Sequence, residues 1–574
     1  MTESTDWDKF EALSPEEQAR FFKEKPFKEK GDLILHAHDP RALTQSLSQE
    51  EFYLLTKEMD MEERSEIVRY ANVPQLFFFT DVECWKGDRL DEKHFIDWLE
   101  TLQHAGDEAL MNWFYAIDYE TVIAGLKKII TVVKPDREWT VDEVLGDTPY
   151  FTLDDFYYVA VSQERMETVR RCLEVLYENH RGRYHAFLEG VMAEIDDPVE
   201  EEAYVKRETR LADRGFPEKE RALLIYKAIT REEFEQFPKK KLSGSDGNGR
   251  SAAEGTRLPD YPVLWSKDRV FLDDVFAAIR NEKVELLEQI EEELVWLSNK
   301  VITVQGLDFS SEEKVRMGIE RARSFVSLGL ELLSGSDVAK AAGIVKERWL
   351  EVVFRWAVTR MLEMRTQAEN LLRDCWPAQP DYFLMFLNVP YQTILRGLLR
   401  TVPQCHDDQV AGEDLPLRDF KTVRDLERTQ ISLDQLETVI RHLVKEYPKV
   451  FRAIDFEDES ARFDAALFTV LGTLFASWVL KKRTRISPLS TEELKAFLDA
   501  AFESVADRRI LRGELRERFL GGFYRADEVP VVRSLWNFVF DQLANDLGGL
   551  NPKKRIDCRY ISSVKLRVKK DGEA

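Results

Sequence analysis

The chain has 574 residues, of which 44% are hydrophobic, and it carries 12 Trp, 35 Phe and a formal net charge of −24. That length exceeds what one hydrophobic core usually organises, so we expect about two to four domains. The aliphatic and aromatic content excludes a chain that is disordered throughout.

The charge is unevenly distributed along the chain. Residues 1–238 contain 53 acidic and 30 basic side chains, a net charge of −23, whereas the remainder contains 53 acidic and 52 basic ones. Affinity for polyanions comes mainly from Lys and Arg. We therefore expect no nucleic acid to bind the acidic part.

The cysteines and the first residues bear on the compartment. Five cysteines stand far apart in the sequence: Cys84, Cys172, Cys375, Cys405 and Cys558. Their spacing fits neither a disulfide framework nor a zinc site. The opening residues are acidic and lack the apolar stretch of a signal peptide. We therefore expect a cytoplasmic protein.

Residues 1–238 predict an acidic domain of solenoid-like helical repeats. From Leu43 to Val133, amphipathic helices alternate with short breaks, and each helix is too narrow to bury its apolar face alone. Helix starts carry the pattern of a capping box, a hydrophobic residue and then Ser or Thr with Glu three positions later. The pattern occurs at Leu13–Glu17, Leu47–Glu51, Ile229–Glu233, Phe309–Glu313 and Leu489–Glu493.

Two features interrupt this helical part. Alternating β-branched and aromatic residues predict a small β-hairpin near residues 130–161, with a turn at Leu153–Asp155. Residues 210–230 predict a helix, a turn at Gly215, and a second helix in which Pro217 supplies the first turn.

Beyond the acidic part we expect a linker, a larger helical bundle and a tail. Residues 239–262 combine Gly, Ser, Asn and charge, which predicts a flexible linker. Residues 263–550 predict a bundle of long helices over Phe271–Val301, Glu312–Leu333, Val338–Leu372, Thr422–Val444, Asp464–Lys482, Glu492–Ala506 and Val531–Leu547. Residues 551–574 form a basic tail with eight basic and three acidic side chains. The chain as a whole is therefore mainly all-α.

One uncharged stretch has to be considered as a possible membrane span. Ala465–Leu480 contains no charged residue, but it is shorter than the roughly 20 residues that span a bilayer. We expect a buried core helix there and no membrane contact.

Several passages resemble a bacterial family known as domain of unknown function 6178. They are Arg210–Pro217 with Glu220–Leu223, then Trp349–Leu362, Leu417–Val423 and Ile556–Ile561. These passages are spread over nearly the whole chain, and each mixes core with turn residues. The resemblance implies a shared fold, and it implies no activity because the family has none assigned.

Two clusters could carry chemistry. His36, His38 and Asp39 are the residues most like metal ligands, but a zinc site needs three or four ligands and no further partner has a diagnostic spacing. A solvated turn is the alternative. Cys405–Asp408 place a thiol beside an imidazole and two carboxylates, although catalytic partners usually come from distant segments. An ordinary surface loop is the alternative.

Further candidates are surface features. Arg181, Arg183 and His185 could form an anion site near His180 and Tyr184, or a solvated basic corner. Phe77–Phe79 and Tyr157–Tyr158 are more typical of core than of a binding surface. The basic tail could touch anionic lipid or nucleic acid, dock on the acidic half or stay solvated.

The sequence lacks the phosphate-binding, dinucleotide-binding, zinc-protease and nucleophile-elbow motifs. We therefore assign no catalytic, cofactor-binding or metal-binding residue. The leading hypothesis is a scaffold or regulatory protein whose helical surfaces bind another protein. The alternative is an enzyme with an unrecognised site in the C-terminal helical part, near Cys405 and His406.

Overall fold

The computed structural model is mainly α-helical, as the sequence predicts, with a few short antiparallel strands. It describes residues 10–25, 29–57, 59–135, 140–193, 196–240, 269–306, 312–375, 380–410, 415–446, 466–481, 488–505, 508–557 and 560–566.

The acidic part contains helices that mostly pack on near neighbours in the sequence. They are α1 (Pro15–Glu24), α2 (Lys30–Leu35), α3 (Pro40–Ser46), α4 (Gln49–Lys57), α5 (Met61–Val68), α6 (Val73–Glu83), α7 (Glu92–Ala105), α8 (Asp107–Ala116), α9 (Tyr119–Ile129), α10 (Val141–Leu145), α11 (Met166–Asn179), α12 (Arg181–Ala193) and α13 (Asp196–Asp213). Contacts join α4 to α6, α5 to α7, and α9 to α12 and α13. This stacking matches the solenoid-like arrangement expected from the sequence.

After α13 the helices belong mainly to a second group. They are α14 (Lys219–Leu223), a 3-10 turn (Leu224–Tyr226), α15 (Arg231–Gln236), α16 (Phe271–Ile279), α17 (Val284–Val304), α18 (Glu312–Ser334), α19 (Val338–Glu347), α20 (Leu350–Cys375), α21 (Pro380–Phe386), α22 (Tyr391–Leu398), α23 (Val423–Glu446), α24 (Leu467–Val479), α25 (Thr491–Ala501), α26 (Gly513–Phe523) and α27 (Val529–Leu547). Contacts join α18 to α17 and α20, and α23 to α20 and α27.

The described strands are short. Strands β3 (Thr131–Val133), β4 (Tyr150–Phe151) and β5 (Tyr158–Ala160) form a sheet in the order β3-β5-β4. This confirms the small sheet expected near residues 130–161 and adds a third strand to it. The other pairs are β1 (Trp85–Lys86) with β2 (Arg89–Leu90), β6 (Cys405–His406) with β7 (Leu417–Arg418), and β8 (Phe502–Val505) with β9 (Arg508–Leu511).

Most of the buried side chains fall into two hydrophobic cores. The first core runs from Phe10 to Phe216 and also takes in Ile302, Val315 and Ile319 from α17 and α18. The second core begins at Ile225 and continues to Val564. The two cores therefore meet at the turn after α13, where Phe216 lies in one and Ile225 in the other.

The predicted helix starts can be checked at four of their five positions. Ser14, Thr230 and Ser490 each form a capping box with the Glu three residues later. Ser48 makes the same pair of bonds with Glu51, at 3.1 and 3.0 Å. These four predictions are confirmed, and the start at Phe309–Glu313 has its capping serines outside the described residues.

The uncharged stretch near residue 470 is a core helix, as expected. Helix α24 is buried along most of its length, and Phe475 packs against Phe497, Phe519 and Phe540. Among the helices that the structure describes, none is both long enough and apolar enough to cross a membrane.

Some long helices of the sequence prediction are interrupted, and those predictions were wrong. Phe271–Val301 is divided into α16 and α17, and Val338–Leu372 into α19 and α20. At the second break the Glu293 carboxylate accepts a hydrogen bond from the Leu350 amide, at 3.0 Å, which satisfies a new helix N-terminus. Glu492–Ala506 ends as a helix at Ala501, where β8 begins.

The ends of the predicted linker and tail make defined contacts. Lys240 donates to Glu293 at 2.9 Å and to the Val345 carbonyl at 2.9 Å, and the rest of the linker lies outside the described residues. In the tail, the Lys565 amide donates to Thr473 on α24 at 2.7 Å. This described part of the tail packs on the second core, so docking on the acidic half, one of the alternatives considered for the tail, does not apply to it.

Candidate functional site

The end of α13 carries three arginines into the first core. Arg210 binds Asp81 of α6 with two hydrogen bonds, Nε to Oδ2 at 2.9 Å and Nη2 to Oδ1 at 2.6 Å. It also pairs with Asp118, which caps α9. The Asp81 side chain is fully buried. A two-pronged contact of this kind fixes the position of both helices.

The charges of the other two arginines also act on Asp81, without a hydrogen bond to its carboxylate in the described structure. Arg207 donates from Nε to the Asp81 carbonyl at 2.6 Å, and the Arg214 guanidinium lies 5.6 Å from the centre of the Phe78 ring. Burial raises the pKa of the Asp81 carboxyl against the opposing effect of Arg210. Burial likewise raises the pKa of the Glu50 carboxyl, and the positive charge of Arg214 offsets part of this increase. We call Asp81, Asp118, Arg207, Arg210 and Arg214 the buried charge network.

The turn after this network joins the two cores. Gly215 has a φ of +88°, the left-handed conformation that ends many helices, and the Phe216 amide donates to the Leu211 carbonyl at 2.9 Å. Asn299 of α17 donates to the Arg214 carbonyl at 3.3 Å. The predicted turn at Gly215 is confirmed. The next helix starts at Lys219, however, so Pro217 precedes it and does not supply its first turn.

A second polar cluster lies in the other half. Arg321 of α18 binds Asp419 at 2.7 and 3.0 Å, and Gln404 donates to the same carboxylate at 3.0 Å. Arg418 binds Asp425 at 2.8 and 3.0 Å. Burial opposes the charge of Asp425, but hydrogen bonds from Arg418 and from backbone amides outweigh it and lower its pKa. The cluster ties β7 and the start of α23 to α18.

Cys405 belongs to this packed region. Its thiol is buried and donates to the carbonyls of Arg418 and Asp419, at 3.5 and 3.8 Å. Burial raises its pKa to about 12, so the reactive thiolate is strongly disfavoured. The His406 ring is 2.8 Å from Asp408 instead. The geometry therefore does not assemble the nucleophile and base considered for this pair.

The side chains of His36, His38 and Asp39 each make a separate contact and do not converge. His38 Nε2 lies 2.7 Å from the Glu11 carbonyl, and Asp39 caps α3 by accepting from the Ala42 amide at 2.9 Å. His36 is 3.4 Å from the Glu11 carboxylate. Within the described ranges, no three His, Cys, Asp or Glu side chains converge as metal ligands.

The basic residues at the junction of α11 and α12 do not converge on one site in the structure. His185 turns toward Asp154, with 2.8 Å between Nε2 and Oδ2, and the Tyr184 ring is fully buried. His180 lies at the other side, where its Nδ1 accepts from the Arg183 amide at 3.1 Å. The anion site of Arg181, Arg183 and His185 is therefore not assembled, because the His185 ring binds Asp154 while the two arginines lie over other rings.

The arginines meet tyrosine rings instead. Arg183 lies 5.5 Å from the centre of the Tyr115 ring, and Arg181 lies 4.8 Å from that of Tyr177. The His180 ring is 5.8 Å from Tyr115. Tyr115 of α8 is 47% exposed and Tyr119 of α9 is 37% exposed. We call Tyr115, Tyr119, His180, Arg181 and Arg183 the arginine–tyrosine corner.

Sequence reasoning found the basic members of this corner and missed its tyrosines. The apolar face of α8 runs through Leu110, Trp113 and Phe114, all of which are buried. Tyr115 falls outside that periodicity, which is the signal that could have identified it. Of the other aromatic candidates, Phe78, Phe79 and Tyr157 are buried in the core, and Phe77 and Tyr158 are partly buried against a core.

The fold and its sites define a mainly α-helical protein with two hydrophobic cores that meet at an arginine-rich turn. The chain belongs to a family of unknown function, DUF6178, whose model matches residues 8–567. This confirms the resemblance seen in the sequence. Neither a curated protein nor a solved structure matches the chain.

The structure explains the passages that carry the resemblance. Arg210–Pro217 contains part of the buried charge network and the turn between the cores. Leu417–Val423 contains Arg418 and Asp419 of the second polar cluster. Trp349–Leu362 contains the residue before α20 and the first half of that helix, whose buried side chains include Val353, Phe354 and Met361. These passages hold helices together.

Proposed function

We propose that the chain is a protein-binding scaffold or regulatory protein, and that the arginine–tyrosine corner is its principal contact surface. The observation that supports this most directly is the exposure of Tyr115 beside Arg183 on ordered helices. Tyr and Arg are the residue types most enriched among side chains that dominate interface energies.

The surroundings of the two exposed tyrosines favour a preformed surface. Tyr119 stacks on Phe187, with 5.6 Å between ring centres, and its hydroxyl donates to the Ala186 carbonyl at 2.8 Å. Arg183 is held over Tyr115 and Phe187 together. Because these side chains are restrained before binding, less conformational entropy is lost when a partner covers them.

The enzyme alternative receives less support from the same geometry. It depends on Cys405 and His406, and the thiol there is buried with a raised pKa. A cytoplasmic location accords with Cys84, Cys172 and Cys405, which are free thiols.

The proposal is tested with a single substitution in the full-length chain. We expect Tyr115→Ala to weaken binding of the partner about tenfold, because truncation of a central interface tyrosine typically costs about 1–2 kcal/mol. Proteins recovered with the tagged wild-type chain from its native cell are compared with those recovered with the variant. The binary affinity is then measured by titration with both proteins purified.

Phe538→Ala is the matched control. Phe538 lies on α27 in the other half and is 48% exposed, nearly the same as Tyr115. We expect this variant to keep the wild-type affinity. The proposal fails if no purified protein binds in a way that depends on Tyr115, or if the two variants weaken binding equally.

A further inference from the structure

We infer that the arginine–tyrosine corner binds a carboxylate-rich segment of the partner protein. This inference rests on the proposed function, and it adds the chemistry of the partner. It is carried by two arginines whose charge no described carboxylate neutralises, in a part of the chain where arginine ion pairs are common.

The neighbouring arginines on α11 and before it show the contrast. Arg165 pairs with Glu92, Arg170 with Glu174 at 2.8 Å, and Arg171 with Asp107 at 2.9 Å. Among the described residues, no carboxylate lies within ion-pair distance of Arg181 or Arg183. Their guanidinium groups lie against aromatic rings instead. Glu178, three residues before Arg181, is exposed and is not paired with it.

The ring contacts leave the hydrogen-bonding edge of each guanidinium available. A cation–π contact uses the face of the planar group, whereas its N–H donors lie in the plane. That fork matches the two oxygens of a carboxylate. Arg183, at the start of α12, presents its fork beside the exposed Tyr115 ring, and Arg181, two positions earlier, presents its own beside Tyr177.

The charge of the surrounding domain disfavours a long polyanion as the partner. Residues 1–238 have a net charge of −23, so a long polyanion such as nucleic acid would be repelled beyond the corner. A peptide segment needs to place its carboxylates only at the corner, and more distant charges are screened over about 8 Å at physiological salt. The corner therefore fits an acidic peptide better than a nucleic acid.

The test places a photo-crosslinking amino acid, p-benzoylphenylalanine, at position 115 of the full-length chain in its native cell. A second chain carries it at position 538, which is the control of equal exposure. The partner peptide attached at each position is then identified by mass spectrometry. We expect position 115 to capture a segment with more Asp and Glu than Lys and Arg, and position 538 not to capture it.

The outcomes separate the inference from the proposed function. A neutral or basic segment captured at position 115 overturns the inference and leaves the protein-binding proposal standing. Capture of nucleic acid there, or of nothing, overturns both.

A titration of the captured segment, made as a synthetic peptide, then measures the charge contribution. We expect Arg181→Gln with Arg183→Gln to weaken binding about five- to tenfold and the double substitution to Glu to weaken it further. Salt should weaken the wild-type complex more than the Gln variant. Equal affinity of the wild-type and Gln chains would overturn the inference even if the segment is acidic.

Discussion

The buried charge network and the arginine–tyrosine corner use the same residue type in opposite ways. In the network, Arg210 meets Asp81 and Asp118 inside the chain, and the Asp81 side chain is fully buried. At the corner, Arg183 meets the rings of Tyr115 and Phe187, and Tyr115 remains half exposed. Arg210 therefore finds its carboxylates within the fold, whereas Arg183 has no carboxylate partner among the described residues and keeps donors for another molecule.

This difference predicts which substitutions should change stability and which should change partner binding. Removing one member of a buried ion pair leaves the other charge desolvated, which is expensive. Removing a surface arginine loses little, since exposed charge contacts are weak. Substitutions in the network should therefore affect folding, and substitutions at the corner should affect binding alone.

The largest effect is expected for Asp81→Ala. It leaves Arg210 without the buried carboxylate that it binds with two hydrogen bonds, so the free energy of opening α13 should fall by about 3–5 kcal/mol. Amide hydrogen exchange in α6 and α13 measures this change. Arg183→Gln is the comparison, and it should change the same quantity by less than about 0.5 kcal/mol.

A second pair of substitutions distinguishes charge from packing in the network. Asp81→Leu with Arg210→Met replaces the ion pair by apolar side chains, and we expect the double variant to recover part of the lost stability. Asp118 would keep a partner, since it also accepts from the Thr121 amide at 3.1 Å. If Asp81→Ala and Arg183→Gln had similar effects, the contrast between network and corner would be wrong.

A smaller effect is expected for Gly215→Ala at the turn between the cores. The residue has a φ of +88°, and an added Cβ would lie 3.0 Å from the Asn299 side chain and 3.2 Å from Trp296. We expect a loss of about 1–2 kcal/mol from the left-handed conformation. Hydrogen exchange at the end of α13 and in α17 reports it.

Gly343→Ala is the matched control for that substitution. Gly343 lies in α19, and nothing is within 4 Å of a Cβ added there. Alanine is the better helix former, so this variant should gain about 0.5–1 kcal/mol. A stabilising Gly215→Ala would show that the turn does not require the left-handed conformation.

Much of the fold could be predicted from local sequence. The capping residues Ser14, Thr230 and Ser490 mark helix starts because the bonds they make lie within four residues. The break between α19 and α20 could not be predicted in this way. It depends on Glu293, which is distant in sequence from Leu350 and contacts it only in the folded chain.

The contacts of the candidate site likewise could not be predicted from local sequence. The sequence places Arg181 and Arg183 beside His185, but the fold pairs His185 with Asp154 and brings Tyr115 to Arg183. Asp81 also carries no local signal, because its partner Arg210 is far along the chain. Contacts across helices decide which polar residues become structural and which stay on the surface.

The smallest predicted effect concerns pH. Burial raises the pKa of Glu50 above its ordinary value of 4.5, so the folded chain binds a proton there more readily than the unfolded chain. The contribution of Glu50 to stability should therefore increase as pH falls from 7 toward 5. Asp425 has a lowered pKa, so its contribution is constant in this range and is lost only below about 3.8.

Hydrogen exchange at pH 7 and pH 5, corrected for intrinsic rates, separates these two cases. Protection of α4, which contains Glu50 beside the network, should increase on acidification, while protection at the start of α23, near Asp425, should not. In Glu50→Gln the increase in α4 should be smaller, because only the other carboxyls with a raised pKa near the network, Asp81 and Glu208, then contribute among the described residues. An increase of equal size in Glu50→Gln would mean that the buried Glu50 carboxyl is not the group responsible.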